Sequence, residues 1–564
     1  MKESLQARIS GWLEDPNPIL LKELRATFRT PLFARFLYIS VGLVSLLVLG
    51  VGAIAASDET PPATVGQIVF QLFFSSTLFV ICLFAPGYAA TTITSEREQR
   101  TWESLQLSGM SASRVVHGKF LAAYASIALV IVSLAPVSGI GFLFGGVAPV
   151  QVAVGLLSML VALAPAIAFG IAVSARLPST RLAIVLATFI YMPTALMGTI
   201  MMSGFGQLAH SEWHLAMEGP FFYADAFATR ADEWDTWAIL LGGTLYGIGM
   251  PVWFLLASAI AGVRPAAENR AAPLKRWAWV MSVSTTAVIG VALLAADSAR
   301  SEGKLGLLAL SAIGALMGFY ALLFANEPPL PPRPWERALR DAPAWRRALG
   351  AFGPGAAGTL RFSAVLIVAT GALSWVTVVS VRHLSHPRWS HHVEYDLASL
   401  AIVVGLAVIS LFGAAFGTWM RILLRNGLAA RAITSALIAG LAIAPFLFAL
   451  LIDINSTRHL SEEAPLLAHF STVYPLILAA QLNDMSVNHA LGNFVRIAVP
   501  SVTYGLLGLA CWATVEARVR AARAFVEKKR ARLDASVAPS SVALNAAPEP
   551  STRAALPTTG PEEE

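Results

Sequence analysis

Residues 66–93, GQIVFQLFFSSTLFVICLFAPGYAATTI, contain no charged side chain. Residues 94–119, TSEREQRTWESLQLSGMSASRVVHGK, follow with a dense mixture of both signs. An α-helix rises 1.5 Å per residue, so about 20 apolar residues cross a hydrocarbon core about 30 Å thick. A helix on a soluble core would show a charged face at helical spacing within such a run, and no charged residue interrupts this one. The first stretch predicts a membrane-spanning helix, and the second a patterned loop on one side of the bilayer.

The contrast recurs along the chain. Of the 564 residues, 56% are hydrophobic and 13% charged, about half the charged share of an ordinary soluble domain. Twelve runs predict spans: 33–56, 66–93, 119–146, 150–174, 182–204, 238–262, 277–296, 305–325, 362–381, 397–420, 432–452 and 495–515. The fold class is an all-α polytopic membrane protein of about 12 transmembrane helices. A shorter apolar stretch, 470–482, is expected to be re-entrant or interfacial. Twelve spans put both termini on one side, and 33 of the 40 Lys and Arg residues then share that side. The positive-inside bias makes it the cytoplasm. The first 32 residues are polar and basic, so run 33–56 reads as an uncleaved anchor. Cys82 and Cys511 both lie in apolar runs, which argues against a disulfide framework. The outer loop 205–237 sets six acidic residues against Arg230 and carries Trp213, Phe221, Phe222, Trp234 and Trp237. It reads as lying on the outer surface, either dipping into it or plainly solvated.

Several function classes lose support. No ionisable residue falls deep within a predicted span, where proton- and ion-coupled carriers generally keep theirs; broken helices that bind sodium through carbonyls leave that class open. Prolines 136, 165, 193, 251, 445 and 500 fall in spans, and the pairs Gly243/Gly247, Gly314/Gly318 and Gly413/Gly417 would allow close packing. Neither HExxH nor GxSxG occurs. His383, His386, His391 and His392, followed by Glu394 and Asp396, match no defined metal spacing and read as a surface loop. No GxxxxGK[ST] phosphate loop is present. No catalytic, metal or cofactor-binding residue is predicted, and any ATP-driven work is expected to come from a partner.

Two cytoplasmic pieces suit such a partner. In NPILLKELRATFRTP, residues 17–31, Asn17 is a good N-cap and Pro18 suits the first helical turn. Leu21, Leu24 and Phe28 share one face while Lys22, Arg25 and Arg29 lie elsewhere, giving a basic amphipathic helix expected on the inner leaflet. In the 94–119 loop, Ser95 and Glu98 fit a capping box, or equally the frayed end of the preceding span. A short polar helix is expected over 96–107, stopped by Gly109 in a left-handed turn, with Ser111 or Ser113 capping the next helix. Trp102, Leu105 and Leu107 supply apolar contact, and Glu96, Glu98 and Glu103 supply charge, a compact knob for a groove on another protein.

The N-P-x-x-x-K-E-x-R pattern, two spans, then E-x-E-x-x-T-x-E-x-L…R…G-K resemble the permease subunit of type-2 ATP-binding-cassette transporters. The resemblance covers about the first 263 residues. It implies an elbow helix formed by Asn17, Pro18, Lys22, Glu23, Arg25 and Arg29. It also implies a coupling loop that docks on a separate ATPase subunit through Glu96, Arg97, Glu98, Arg100, Thr101, Trp102, Glu103, Leu105 and Arg114, with Gly118 and Lys119 completing the motif. Arg100 stands where the family often has Gly, and Ser108–Ser111 where a Thr-Pro-Leu-Ser turn is common. ATP and magnesium would sit on the partner, with no cofactor on this chain. Expected partners are the ATPase, a like or different second permease, and the bilayer, with no nucleic acid. Export, and a bacterial inner membrane, follow only from the resemblance.

The expected organisation is an N-terminal segment 1–32, a six-span unit 33–263, two spans in 264–325, a Pro/Arg-rich loop 326–361, four spans in 362–515 and a tail 516–564. The tail begins as a basic helix over 518–532 near anionic lipid and continues as disordered sequence. TWMRILLRNGLAAR, 418–431, weakly echoes TWESLQLSGMSASR, 101–114; a degenerate repeat and chance similarity both stay open. An ion-coupled secondary carrier and a non-transporting scaffold or sensor are the alternative readings.

Overall fold

The computed structural model describes residues 17–57, 60–215, 219–265, 268–294, 299–325, 327–385, 392–453, 470–472 and 487–537. Among these the protein is 87% helical with no strand. Eleven helices are long and apolar enough to cross a membrane, and a shorter apolar helix, Ala309–Phe324, occupies the place of the eighth predicted span. The expected order of twelve is therefore reproduced. The short apolar stretch 470–482 lies almost wholly outside the described residues.

Six spans form a first bundle: Phe33–Ala55, Pro62–Glu98, Ala112–Ser133, Pro149–Ser174, Thr180–Ser211 and Thr236–Val263. Its core gathers Phe70, Phe73, Phe74, Leu163 and Ile167 between the second and fourth spans. The remaining six spans form a second bundle with its own core around Tyr320, Ile313, Leu366 and Ile402. The two meet where Phe254 of the sixth span packs on Trp277 of the seventh, whose indole N–H donates to the Met250 carbonyl at 2.9 Å.

The third span corrects the expected 119–146. Its helix stops at Ser133, and Ala135–Ser138 and Ile140–Leu143 follow as single turns. Pro136 brings no N–H and crowds the preceding turn, so the helix breaks there. Upstream of Pro251 the sixth span loosens into a π-helical turn, Leu245–Gly249, the local rearrangement a missing donor favours. Pro165, Pro193, Pro445 and Pro500 are carried inside continuous helices. Of the glycine pairs, Gly413/Gly417 lies at a tight crossing against Ile438, Ala325 and Thr434, whereas Gly243/Gly247 faces open space.

The loop between the fifth and sixth spans folds onto the bundle. Its helix Phe222–Thr229 packs on the fourth span. Buried Asp225 accepts from the Gln151 amide at 2.8 Å, and Tyr223 pairs with Ser158 at 2.8 Å. The basic tail helix is no separate element. The last span runs unbroken through Val487–Val537, and its surface is mostly exposed beyond Val519. The echo of 101–114 in 418–431 does not hold structurally: the tenth span continues through Thr418 and Trp419 to Leu424, whereas Thr101 follows a helix end.

Candidate docking surface and its anchorage

The elbow forms as its sequence dictates. Its helix spans Pro18–Arg29, and the Asn17 side chain accepts from the Ile19 N–H at 3.1 Å. Pro18 opens the helix where its missing donor costs nothing. Three faces result. Ile19, Glu23 and Thr27 turn toward the bundle, Leu21 and Phe28 remain exposed, and Lys22, Arg25 and Arg29 stand on a third, exposed side. Thr27 hydrogen-bonds Tyr88 of the second span at 3.2 Å.

Asn17 does a second job. Its amide N–H donates to the Arg114 carbonyl at 2.8 Å. The amide lies so close to Gly118 that a Cβ there would stand 2.7 Å from Asn17 Nδ2. Gly118 is thus required by a close approach. One residue on, Lys119 is fully buried, and its ammonium donates to Glu23 at 2.8 Å and the Thr92 carbonyl at 2.9 Å while pairing with Glu96 at 3.0 Å. Lys22 reaches the same Glu96 at 3.6 Å. A buried cation is tolerated only when paired and hydrogen-bonded, and this one has three oxygen partners. The elbow, the end of the second span and the start of the third are pinned at one point.

The second span runs through Ser95 to Glu98, so no capping box opens at Ser95. The expected helix over 96–107 is instead two helices with a break between them. The Thr101 N–H returns to the Glu96 carbonyl at 3.0 Å and Arg100 N–H to the Arg97 carbonyl at 3.2 Å, with Arg100 at φ 58°. That is the Schellman arrangement, whose left-handed residue is usually glycine. Thr101 then opens the short helix Trp102–Leu107, Gly109 turns at φ 74°, and Ser111 caps the third span by accepting from Arg114 N–H.

The loop is also fixed to its neighbours. Arg97 donates to the carbonyls of Ala175 and Leu177 at 3.0 and 3.3 Å and lies over the Trp102 ring. Glu98 accepts from Thr180 N–H at 2.7 Å, capping the fifth span. Arg176 continues the chain of contacts to the Ser258 carbonyl at 3.2 Å. Of the nine residues expected at the docking face, Glu96 and Arg97 are turned inward as anchors. Trp102 and Leu105 are half-buried, and Glu98, Arg100, Thr101, Glu103 and Arg114 are exposed. Leu107, at 87% exposure, is the most prominent apolar side chain of the knob. The Glu23–Lys119 pair was present in the motif, but 96 residues separate the two, and no local pattern predicts such a contact.

Among the described residues no cluster of three or more His, Cys, Asp and Glu could hold a metal. His383 pairs with Asp396 at 2.9 Å, while His386 and His391 lie outside the described residues.

A helical bundle, without strands among the described residues, with an anchored loop after its second span defines a polytopic membrane protein. Residues 53–224, less than a third of the chain, match the family described as ABC-2 family transporter protein. The match takes in the second to fifth spans and the whole 94–119 loop, and supports a permease subunit of a type-2 ABC transporter. No curated protein and no solved structure matches the chain.

Proposed function

We propose that the chain is the membrane-spanning permease of an ABC exporter in a bacterial inner membrane, with both termini in the cytoplasm. A separate ATPase subunit seats on the knob formed by residues 98–107. The observation that carries this reading is the anchorage. A loop meant only to connect two spans needs no buried lysine under it, whereas a lever must be stiff. Lys119 ties the loop to the elbow, and Arg97 and Glu98 tie it to the fourth and fifth spans, so a push on the tip is delivered to three elements at once. ATP binding on the partner would move the knob and re-orient the spans.

The test is co-purification of the ATPase with a variant carrying Glu103→Lys and Leu107→Asp. Both side chains are exposed and touch none of the anchors. The variant is expected to keep its spans folded and lose the ATPase; unchanged association would reject the docking site.

A further inference from the structure

Each bundle is organised around its fourth span. In the first bundle the fourth span, Pro149–Ser174, is the hub on which the second, third, fifth and sixth spans pack. In the second bundle the hub is its own fourth span, His392–Leu424, packed by Ala299–Phe324, Ala356–Ser385, Gly427–Asp453 and Val487–Val537, again its second, third, fifth and sixth. The two hubs gather the same four partners, with the second span packed most heavily in the first bundle and the sixth in the second.

The loop bases share a buried lysine, supplied by the third span of the first bundle and by the first span of the second. Among the described residues Lys119 and Lys275 are the two buried basic side chains. Lys275 donates to the Phe352 and Gly353 carbonyls, both at 2.9 Å, at the foot of the loop that joins the second and third spans of its bundle. Glu327 lies at the same foot, where it accepts from Gly355 N–H and feels Lys275; burial nonetheless pushes its carboxyl above the ordinary value. Each half thus sets a buried lysine and an acid under the loop after its second span.

That loop in the second half is also a helical knob. Arg333–Arg340 and Ala344–Leu349 fold back on one another, with a 3₁₀ turn over Gly350–Phe352. Leu339 closes over Gly350 and Trp335 over Gly353, leaving neither glycine room for a Cβ. Outward stand Trp345 and Leu349, 60% and 59% exposed, with five arginines in 333–347 against Glu336 and Asp341. The knob lies at the same end of the bundle as the first. Arg176 joins the first loop's neighbours to the end of the sixth span, and Lys275, just past it, holds the second knob.

We propose that residues 333–352 are a second docking surface, so that this single chain carries two permease halves and receives two ATPase subunits. The subunit seated on 333–352 presents an acidic face to the arginines. The proposal rests on the reading of the 98–107 knob as an ATPase dock.

The experiment is native mass spectrometry of the full chain co-purified from its own membranes. Wild type is expected to carry two ATPase subunits per chain. With Arg337→Glu, Arg340→Glu, Arg346→Glu and Arg347→Glu together, one subunit should remain, and its retention shows the chain is folded. With Glu103→Lys and Leu107→Asp the other should be lost. A photo-crosslinker replacing Trp345 in otherwise wild-type chain should capture an ATPase. Wild type without any ATPase overturns the docking reading itself. Two chains sharing two subunits, a four-arginine variant that keeps both, or a Trp345 crosslink to lipid alone overturns only the second surface.

Discussion

Replacing Lys119 with methionine should free the elbow helix from the bundle without dissolving the spans. The ammonium holds Glu23, Glu96 and the Thr92 carbonyl within 3.0 Å, and the lysine side chain has no exposed surface. Methionine fills the stem but leaves two carboxylates facing each other. Removing one partner of a buried ion pair costs about 3–5 kcal/mol. The Glu23 side chain keeps 26% of its surface and that of Glu96 13%, so both can partly rehydrate, which sets the cost near the low end, about 3 kcal/mol. At about 1.4 kcal/mol per decade, local opening of the elbow rises roughly a hundredfold. Amide hydrogen exchange on the full chain in lipid nanodiscs reads this directly. Protection over residues 18–29 should fall by about two decades while residues 150–174 keep theirs. Adding Glu23→Gln and Glu96→Gln should recover most of it, because no unpaired charge then stays buried. The reasoning fails if the single variant keeps its elbow protection, or if the neutralised triple variant is as open as the single one.

Three further outcomes follow from local geometry. Arg100→Gly should stabilise the coupling loop by about 1 kcal/mol, because the left-handed conformation costs a side-chain-bearing residue that much; slower exchange over residues 96–107 checks it. Gly118→Ala should loosen the start of the elbow, since its Cβ would meet Asn17 Nδ2 at 2.7 Å; the chain's melting temperature in detergent should drop, and a further Asn17→Gly should relieve the clash. Asp225→Ala should destabilise the outer end of the first bundle by about 1–3 kcal/mol, the cost of leaving the buried Gln151 amide without its acceptor; its melting curve reports the change.

The spans were legible in the sequence because hydrocarbon tolerates so few residue types that a run such as 66–93 has one reading. Capping chemistry was equally readable at Asn17, Gly109 and Ser111, where a single side chain or missing Cβ decides the turn. The break at Arg100 was not, since arginine carries no signal for a left-handed turn and only the return bonds from Thr101 and Arg100 reveal it. The inward turn of Glu96 was hidden for a different reason. A glutamate in a polar loop reads as exposed until the lysine that claims it is brought from the third span. The outer loop misled similarly: Asp225 looks solvated in sequence and is buried by Gln151. The correspondence between the two bundles is invisible in sequence because it resides in which helices pack, not in which residues do so. The resemblance of 418–431 to 101–114 pointed to the wrong segment.

The most direct test of the account is gentle affinity purification of the chain from its native membranes, with identification of bound subunits and measurement of ATP hydrolysis. The account predicts a stoichiometric subunit bearing a phosphate loop, with ATPase activity in the complex that falls when Glu103→Lys and Leu107→Asp are introduced. A chain that purifies alone, stable and inert toward ATP, would contradict it.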